Sequence, residues 1–159
     1  MPAQKPKLPA LDPKDVKPVI GSDYPPPHDQ LAKTRERRQL GDALGLANFG
    51  VNLLRLPPGC ASSQRHWHTK QDEFVFVVSG EVVLVTDGGE QTLTSGMVAG
   101  FPAGTGDGHH LLNRGNRDAI LLEVGDRMPA DEVDYSDIDM KIRWINGEER
   151  FLHKDGKPY

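Results

Sequence analysis

The chain has one cysteine, Cys60. It can therefore close no internal disulfide, and it carries no thiolate zinc motif. Its first fifteen residues, MPAQKPKLPALDPKD, lack the apolar stretch of a signal peptide. No run approaches the roughly 18 apolar residues that a membrane-spanning helix needs. These absences set the expectation of a reducing cytoplasm and no membrane partner. Aromatic residues are scarce, with two Trp, three Tyr and five Phe, too few to suggest a stacking platform. Positive charge is also in short supply. The formal net charge is −4, and the one basic run, KTRERR at 33–38, reads as a solvated stretch and not as a nucleic-acid patch.

Helical periodicity is missing between residues 49 and 127. Hydrophobic residues make up only 36%, against 17 glycines and 13 prolines, a balance that favours short strands and turns in a single domain. Residues 1–48 begin as a proline-rich arm with YPPPH at 24–28, where proline blocks helix and central strand alike. The first clear strand is FGVNLLRL, ended by the turn PPG. Further strands are expected at 74–78, 82–85, 109–113 and 119–127, with turns at SGE, DGG and RGNRD. Six glycines or prolines fall between residues 96 and 108. After residue 127 an acidic stretch, DEVDYSDIDM, reads as a solvated loop. Asn146-Gly147 then marks a C-terminal hairpin with arms at 141–145 and 149–153. Short strands with turns every roughly 8–12 residues suit an antiparallel sandwich or barrel.

The chemistry lies in SSQRHWHTKQDEFVFVVSGE, residues 62–81. His66 and His68 are two apart, so on a strand they share one face while Trp67 takes the other. Four residues then lead to Glu73, a length that suits a hairpin. Two imidazoles and a carboxylate converging on one point suit a transition metal, with an open position left for substrate. In this reading Val75, Val77 and Ser79 point inward with Glu73. Phe74, Phe76 and Val78 face out and need covering.

Two ordered motifs give the chain a resemblance to the cupins. Gly59 is followed after six residues by His66 and His68, after four more by Glu73, and after six more by Gly80. Gly96 is followed after five residues by Pro102-Ala103-Gly104, after four more by His109, and after three more by Asn113. The first glycine spacing and the loop after Gly104 are both longer than the usual pattern. The resemblance implies an all-β cupin double-stranded β-helix, a jelly-roll barrel over residues 49–127, with an extended N-terminal arm (1–48) and a C-terminal extension (128–159) ending in the hairpin. It implies a divalent transition metal (Zn, Fe, Mn or Ni) on His66, His68, Glu73 and His109, with His110 the alternative to His109. It also implies a homodimer, since single-barrel cupins commonly pair through such an apolar face. The layout RHWH…DEFV and FPAG…HHLLN is similar to that of small bacterial cupins labelled sugar-phosphate-isomerase-like. The leading expectation is therefore a metal-dependent sugar-phosphate isomerase with Glu73 as ligand or catalytic base, and with Arg55 and Lys70 as candidates to meet the phosphate. An Fe(II) dioxygenase of a small molecule and a non-catalytic binding protein are the alternatives.

Overall fold

A computed structural model describes residues 6–159. The ordered elements are β1 (Val19–Ile20), β2 (Glu36–Gln39), the single-turn helix α1 (Leu40–Ala43), β3 (Phe49–Leu56), β4 (His66–His68), β5 (Glu73–Ser79), β6 (Glu81–Thr86), β7 (Gly89–Thr94), β8 (Val98–Phe101), β9 (His110–Leu112), β10 (Ala119–Asp126), β11 (Val133–Tyr135), β12 (Lys141–Ile145) and β13 (Glu148–Leu152). Among the described residues no helix is long and apolar enough to cross a membrane.

The strands form three antiparallel sheets. Six lie in the order β1-β2-β3-β10-β5-β8, four in the order β13-β12-β11-β4, and three in the order β7-β6-β9. This corrects the expected jelly-roll barrel, because none of the sheets closes on itself. Closure needs an unbroken ladder from each strand to the next around the ring, and here the ladder fails at two places. At Gly80 the chain leaves β5 for β6 and passes from the six-stranded to the three-stranded sheet. Gly80 has φ +82°, and a Cβ there would meet the Asp118 carbonyl oxygen at 2.8 Å and the Ala119 Cα at 2.9 Å, so only glycine fits this bend. At β9 the ladder to β6 is regular, but only single bridges join this region to the chain around β4, at Ala61↔Leu112 and His66↔His109.

A second correction concerns β4 and β5. They do not pair as a hairpin. β4 hydrogen-bonds to β11, whereas β5 lies between β10 and β8. The acidic stretch expected to be a solvated loop thus supplies β4's partner strand. The basic run is likewise not simply solvated. Its end forms β2, which pairs with β3, and Arg35 is 5% exposed.

The main core is filled from two sheets. Leu54, Leu56, Val75, Val77 and Leu121 come from the six-stranded sheet, and Val82, Leu84, Leu93 and Leu111 from the three-stranded one. Each buried Leu or Val contributes about 1.5–3 kcal/mol. A smaller cluster of Val133, Tyr135 and Met140 holds the C-terminal strands, with Tyr24 of the arm packed against it. The Tyr24 ring meets Tyr135 edge-on at 5.6 Å and Phe151 at 6.2 Å. Proline keeps the arm extended, and these ring contacts dock it beside the site.

Candidate metal centre

Strand alternation carries the first residue of β5 inward. Val75 and Val77 are buried on that face, while Phe74 and Val78 point out at 41% and 43% exposure. Ser79, expected inward, is exposed at the strand's end. Glu73 therefore stands at the polar end of an otherwise apolar face. On β4, His66 pairs with Tyr135 and His68 with Val133, so both imidazoles lie on one side of that strand. His109 precedes β9 and exchanges backbone hydrogen bonds with His66, at 3.2 and 2.9 Å. Directly opposed residues share a face, and this sets the His109 ring 4.9 Å from that of His66.

The four side chains meet at one atom. Glu73 Oε2 lies 3.4 Å from His66 Nε2, 3.4 Å from His68 Nε2 and 3.0 Å from His109 Nε2. It is buried and makes no hydrogen bond. The ligand atoms of His66, His68 and Glu73 all fall within 4.8 Å of one another, a cluster capable of holding a divalent metal. His109 stands beside that trio through its contact with Glu73. His110 does not turn to Glu73. It pairs with Val85 in the ladder, and its Nδ1 faces the Ser63 carbonyl at 3.0 Å.

The far sides of the rings fix their tautomers. His66 Nδ1 donates to the Gln64 carbonyl at 2.8 Å, and His68 Nδ1 donates to Asp131 Oδ2 at 2.5 Å. Each Nε2 is thereby directed at Glu73, an arrangement that orients metal-binding histidines. The His109 ring is held flat against Phe101, with centroids 3.5 Å apart. Asp131 is buried and also accepts from the Lys70 amide at 2.7 Å and the Gln71 amide at 3.2 Å.

Electrostatics follow from this packing. Burial alone would raise the Glu73 carboxyl, but the three surrounding imidazoles outweigh it and hold Glu73 well below the usual carboxylate range. Burial lowers His109, which favours the neutral ring. For His68 burial also works downward, yet Glu73 and Asp131 together push it up to about 9.

The residues fit a metal. A buried carboxylate oxygen without a hydrogen bond sits against three imidazole nitrogens, at least one of them on a ring held neutral. Donors around an ion with bonds of about 2.1 Å stand roughly 3.0–3.4 Å apart, the separations seen here. Three nitrogens and one oxygen suit Zn, Fe, Mn or Ni.

The site opens into a cavity of about 410 Å³ whose lining includes Tyr24, Arg35, Arg37, Glu123 and Tyr135 besides the cluster. Arg55 and Lys70, the cations suggested by sequence, are not on it. Arg55 is ion-paired to Glu36 at 2.6 Å and Asp118 at 2.7 Å, and Lys70 is exposed. Two of the cavity's cations, Arg35 and Arg37, come instead from the basic run, and Arg127 is the third. Glu123 also escaped the sequence reading. It lies inside AILLEVGD, where one acid in an apolar strand was the available signal.

Comparison with known proteins agrees with this architecture. Residues 52–125 match the Cupin domain family. A crystal structure of a sugar phosphate isomerase from a cupin superfamily, from Silicibacter pomeroyi, superposes with TM-score 0.90 and 45% identity over 95% of this chain and 96% of that one. A candidate sugar phosphate isomerase from Acidithiobacillus ferrooxidans aligns at 29% identity and TM-score 0.72 over 79% of this chain and 80% of that one. A polyketide cyclase from Streptomyces resistomycificus, at 20% identity and TM-score 0.66 over 81% and 85%, shares the fold. No curated protein matches the sequence. The chain belongs to the cupin superfamily.

Proposed function

We propose that this cupin is a metal-dependent isomerase of a sugar phosphate, with the ion held by His66, His68, Glu73 and His109. The observation that carries the reading is a likeness spanning nearly the whole chain, at 45% identity, to a sugar phosphate isomerase, joined to a cluster able to hold a metal. A divalent ion bound there supplies a Lewis acid for a substrate carbonyl and its neighbouring hydroxyl. Glu73 already faces three imidazoles, so its role is that of ligand, and a carboxylate so engaged is a poor base. The proton is moved by Glu123. This residue pairs across strands with Val75, which puts it on the same inner face as Glu73. Burial raises its carboxyl, while Arg37 draws it partly back. A carboxyl tuned upward suits the taking and returning of a proton near neutral pH. It takes the proton from the carbon beside the carbonyl and returns it to the carbonyl carbon, while the proton of the neighbouring hydroxyl passes to the former carbonyl oxygen, so aldose and ketose exchange with no other reactant. The cavity encloses the reacting carbons and limits loss of the intermediate to water.

The test is turnover of metal-loaded protein with aldose and ketose phosphates in D₂O. Ketose formation with solvent deuterium at the exchanging carbon is expected. Neither turnover nor exchange with any such phosphate ends the isomerase reading. Oxygen uptake after Fe(II) loading is the result that favours a dioxygenase instead.

Residues 49–127 are taken as the cupin unit, with the arm from residue 6 onward and residues 128–159 as its two extensions. The outer face of the six-stranded sheet carries the directly opposed apolar row Phe74, Val124 and Val51, and beside it Phe76, Leu122 and Leu53. Val98 at 54% exposure extends this face. A second copy of the chain, laid against it as a homodimer, would cover these rows.

A further inference from the structure

The inner face of the six-stranded sheet changes character along its strands. Gln39, Asn52, Glu123 and Val75 stand in one cross-strand row, and Arg37, Leu54, Leu121 and Val77 in the next. The second row is buried core except at its end, where β2 contributes a guanidinium. Arg35 precedes Arg37 by two residues, and both line the cavity with Gln39, Asn52 and Glu123.

The charges on this wall do not balance. Arg35 is buried and is held by the Gly21 carbonyl at 2.7 Å and by the Ser62 carbonyl. It has no carboxylate partner among the described residues. Arg37 has one, Glu123, at a long 3.5 Å. The Nε atoms of both arginines are buried without a hydrogen bond. Of the other charges on the lining, Arg127 is taken by Asp42, Asp131 by His68 and Asp126 by the Asp72 amide, while Asp23 and Glu149 are exposed to solvent. One buried and one half-buried cation facing a single loosely held carboxylate are costly unless an anion joins them. A guanidinium fork matches a phosphate dianion better than any neutral group.

We propose that Arg37, backed by Arg35, is the anion subsite of the cavity and receives the terminal phosphate of an open-chain sugar whose carbonyl end lies at the His66–His68–Glu73 cluster. The carbonyl half of this assignment rests on the isomerase reading, whereas the phosphate half rests on the cavity wall alone. Burial and the like charge of Arg37 both lower Arg35, and the charge of Glu123 offsets them only in part. The geometry also sets a length. Arg37 lies on β2, three strands from β5 and Glu73, and Glu123 on β10 stands between them. Strands about 4.8 Å apart put roughly 14 Å between the two backbones, which the two side chains shorten without closing. The phosphate end thus lies farther from the cluster than Glu123, which is left to the reacting carbons. Pentose 5-phosphates and hexose 6-phosphates have the chain to span that gap, and triose phosphates are too short. Gln39 and Asn52, whose side chains take no hydrogen bond among the described residues, are placed to bind the hydroxyls between.

Calorimetric titration of the metal-loaded protein tests this, with ribose 5-phosphate, ribose and glyceraldehyde 3-phosphate as probes. Wild type should bind ribose 5-phosphate at least tenfold more tightly than either of the others. Arg37→Gln should remove that preference, lowering ribose 5-phosphate affinity about 10–100-fold and leaving ribose unchanged. Arg55→Gln, on the outer side, should keep it, and circular dichroism checks the fold of both variants. Equal binding of ribose and ribose 5-phosphate by wild type, or a preference that survives in Arg37→Gln because the phosphate sits on the metal, overturns the subsite. Phosphate-dependent binding with no turnover overturns only the isomerase reading.

Discussion

Asp131→Asn separates two roles that the Asp131 carboxylate plays for His68. The first is orientation. At 2.5 Å from His68 Nδ1 the carboxylate fixes the ring and strengthens the Nε2 donor, and loss of such a partner costs about 10–100-fold in metal affinity, or about 1.4–2.8 kcal/mol. The second works the other way. Against the downward pull of burial, Glu73 and Asp131 raise His68 to about 9, so at pH 7.5 the metal-free ring is mostly protonated. Metal must displace that proton at a cost of about 2 kcal/mol. Replacing the carboxylate by an amide relieves part of this cost. Near pH 7 the two effects largely cancel, and near pH 9 only the first remains. Zinc affinity measured by competition with a chromogenic chelator should therefore show wild type and Asp131→Asn close together at pH 7. They should diverge toward 10–100-fold at pH 9, with wild type tighter. Equal affinities at pH 9, or a gap that does not change with pH, would refute the argument that His68 is both held and charged by Asp131.

Further outcomes follow from the same packing. His109→Ala should lose metal affinity by at least tenfold as read by elemental analysis after dialysis, whereas His110→Ala should keep its metal and lose about 1–3 kcal/mol of stability with the buried bond to Ser63; the reverse pattern means the ligand is misassigned. Glu123 is raised in the fold by burial, so its contribution to stability is full below the ordinary glutamate range and is lost as pH rises through its raised value. Glu123→Gln cannot ionise and should melt at or above wild type at pH 7, with the difference shrinking toward pH 4, while turnover falls about 100-fold or more. A melting curve for Glu123→Gln below wild type at pH 7 contradicts this sign. Phe74→Glu, on the exposed outer row, should convert a dimer of 17.5 kDa chains to monomers by light scattering without moving metal content; a monomeric wild type removes the dimer. Chelation should lower the melting temperature, since an ion at about a thousand times its dissociation constant stabilises the folded state by about 4 kcal/mol.

Much of the site was legible because strand alternation is a short-range rule. His66 and His68 share a side, Val75 and Val77 follow Glu73 inward, and Phe74 and Val78 go out, all within one strand. The expected strands from residue 49 onward fall within a residue or two of β3, β5, β6, β9, β10, β12 and β13. Arg35, Arg37 and Asp131 were not legible. In KTRERRQ both faces of the strand are polar, so no apolar alternation marks β2 as structure, and its charges look solvated. Asp131 stands in a run of acids that locally resembles any exposed loop. What holds each of them lies far along the chain: Ser62 and Gly21 for Arg35, Glu123 for Arg37, and His68 for Asp131. Side chains held by partners that distant leave no trace in local periodicity.

The failure of the barrel to close and the position of the cluster have one cause. Each sheet ends near the site. β4 is the last strand of its sheet, β9 is the last of another, and His109 lies one residue before β9 begins. Between them the backbone makes the single His66↔His109 bridge where a closed barrel would make a ladder. A continued ladder would alternate side chains in and out along both strands and fill the space with packed residues. The single bridge instead brings two imidazoles face to face and lets β5, from the third sheet, present Glu73 between them. The donors thus come from three sheets that share little hydrogen bonding at this seam. An ion bound among them would supply, through metal–ligand bonds, cohesion that the missing backbone ladder does not give, and it would leave the cavity beside it open to substrate.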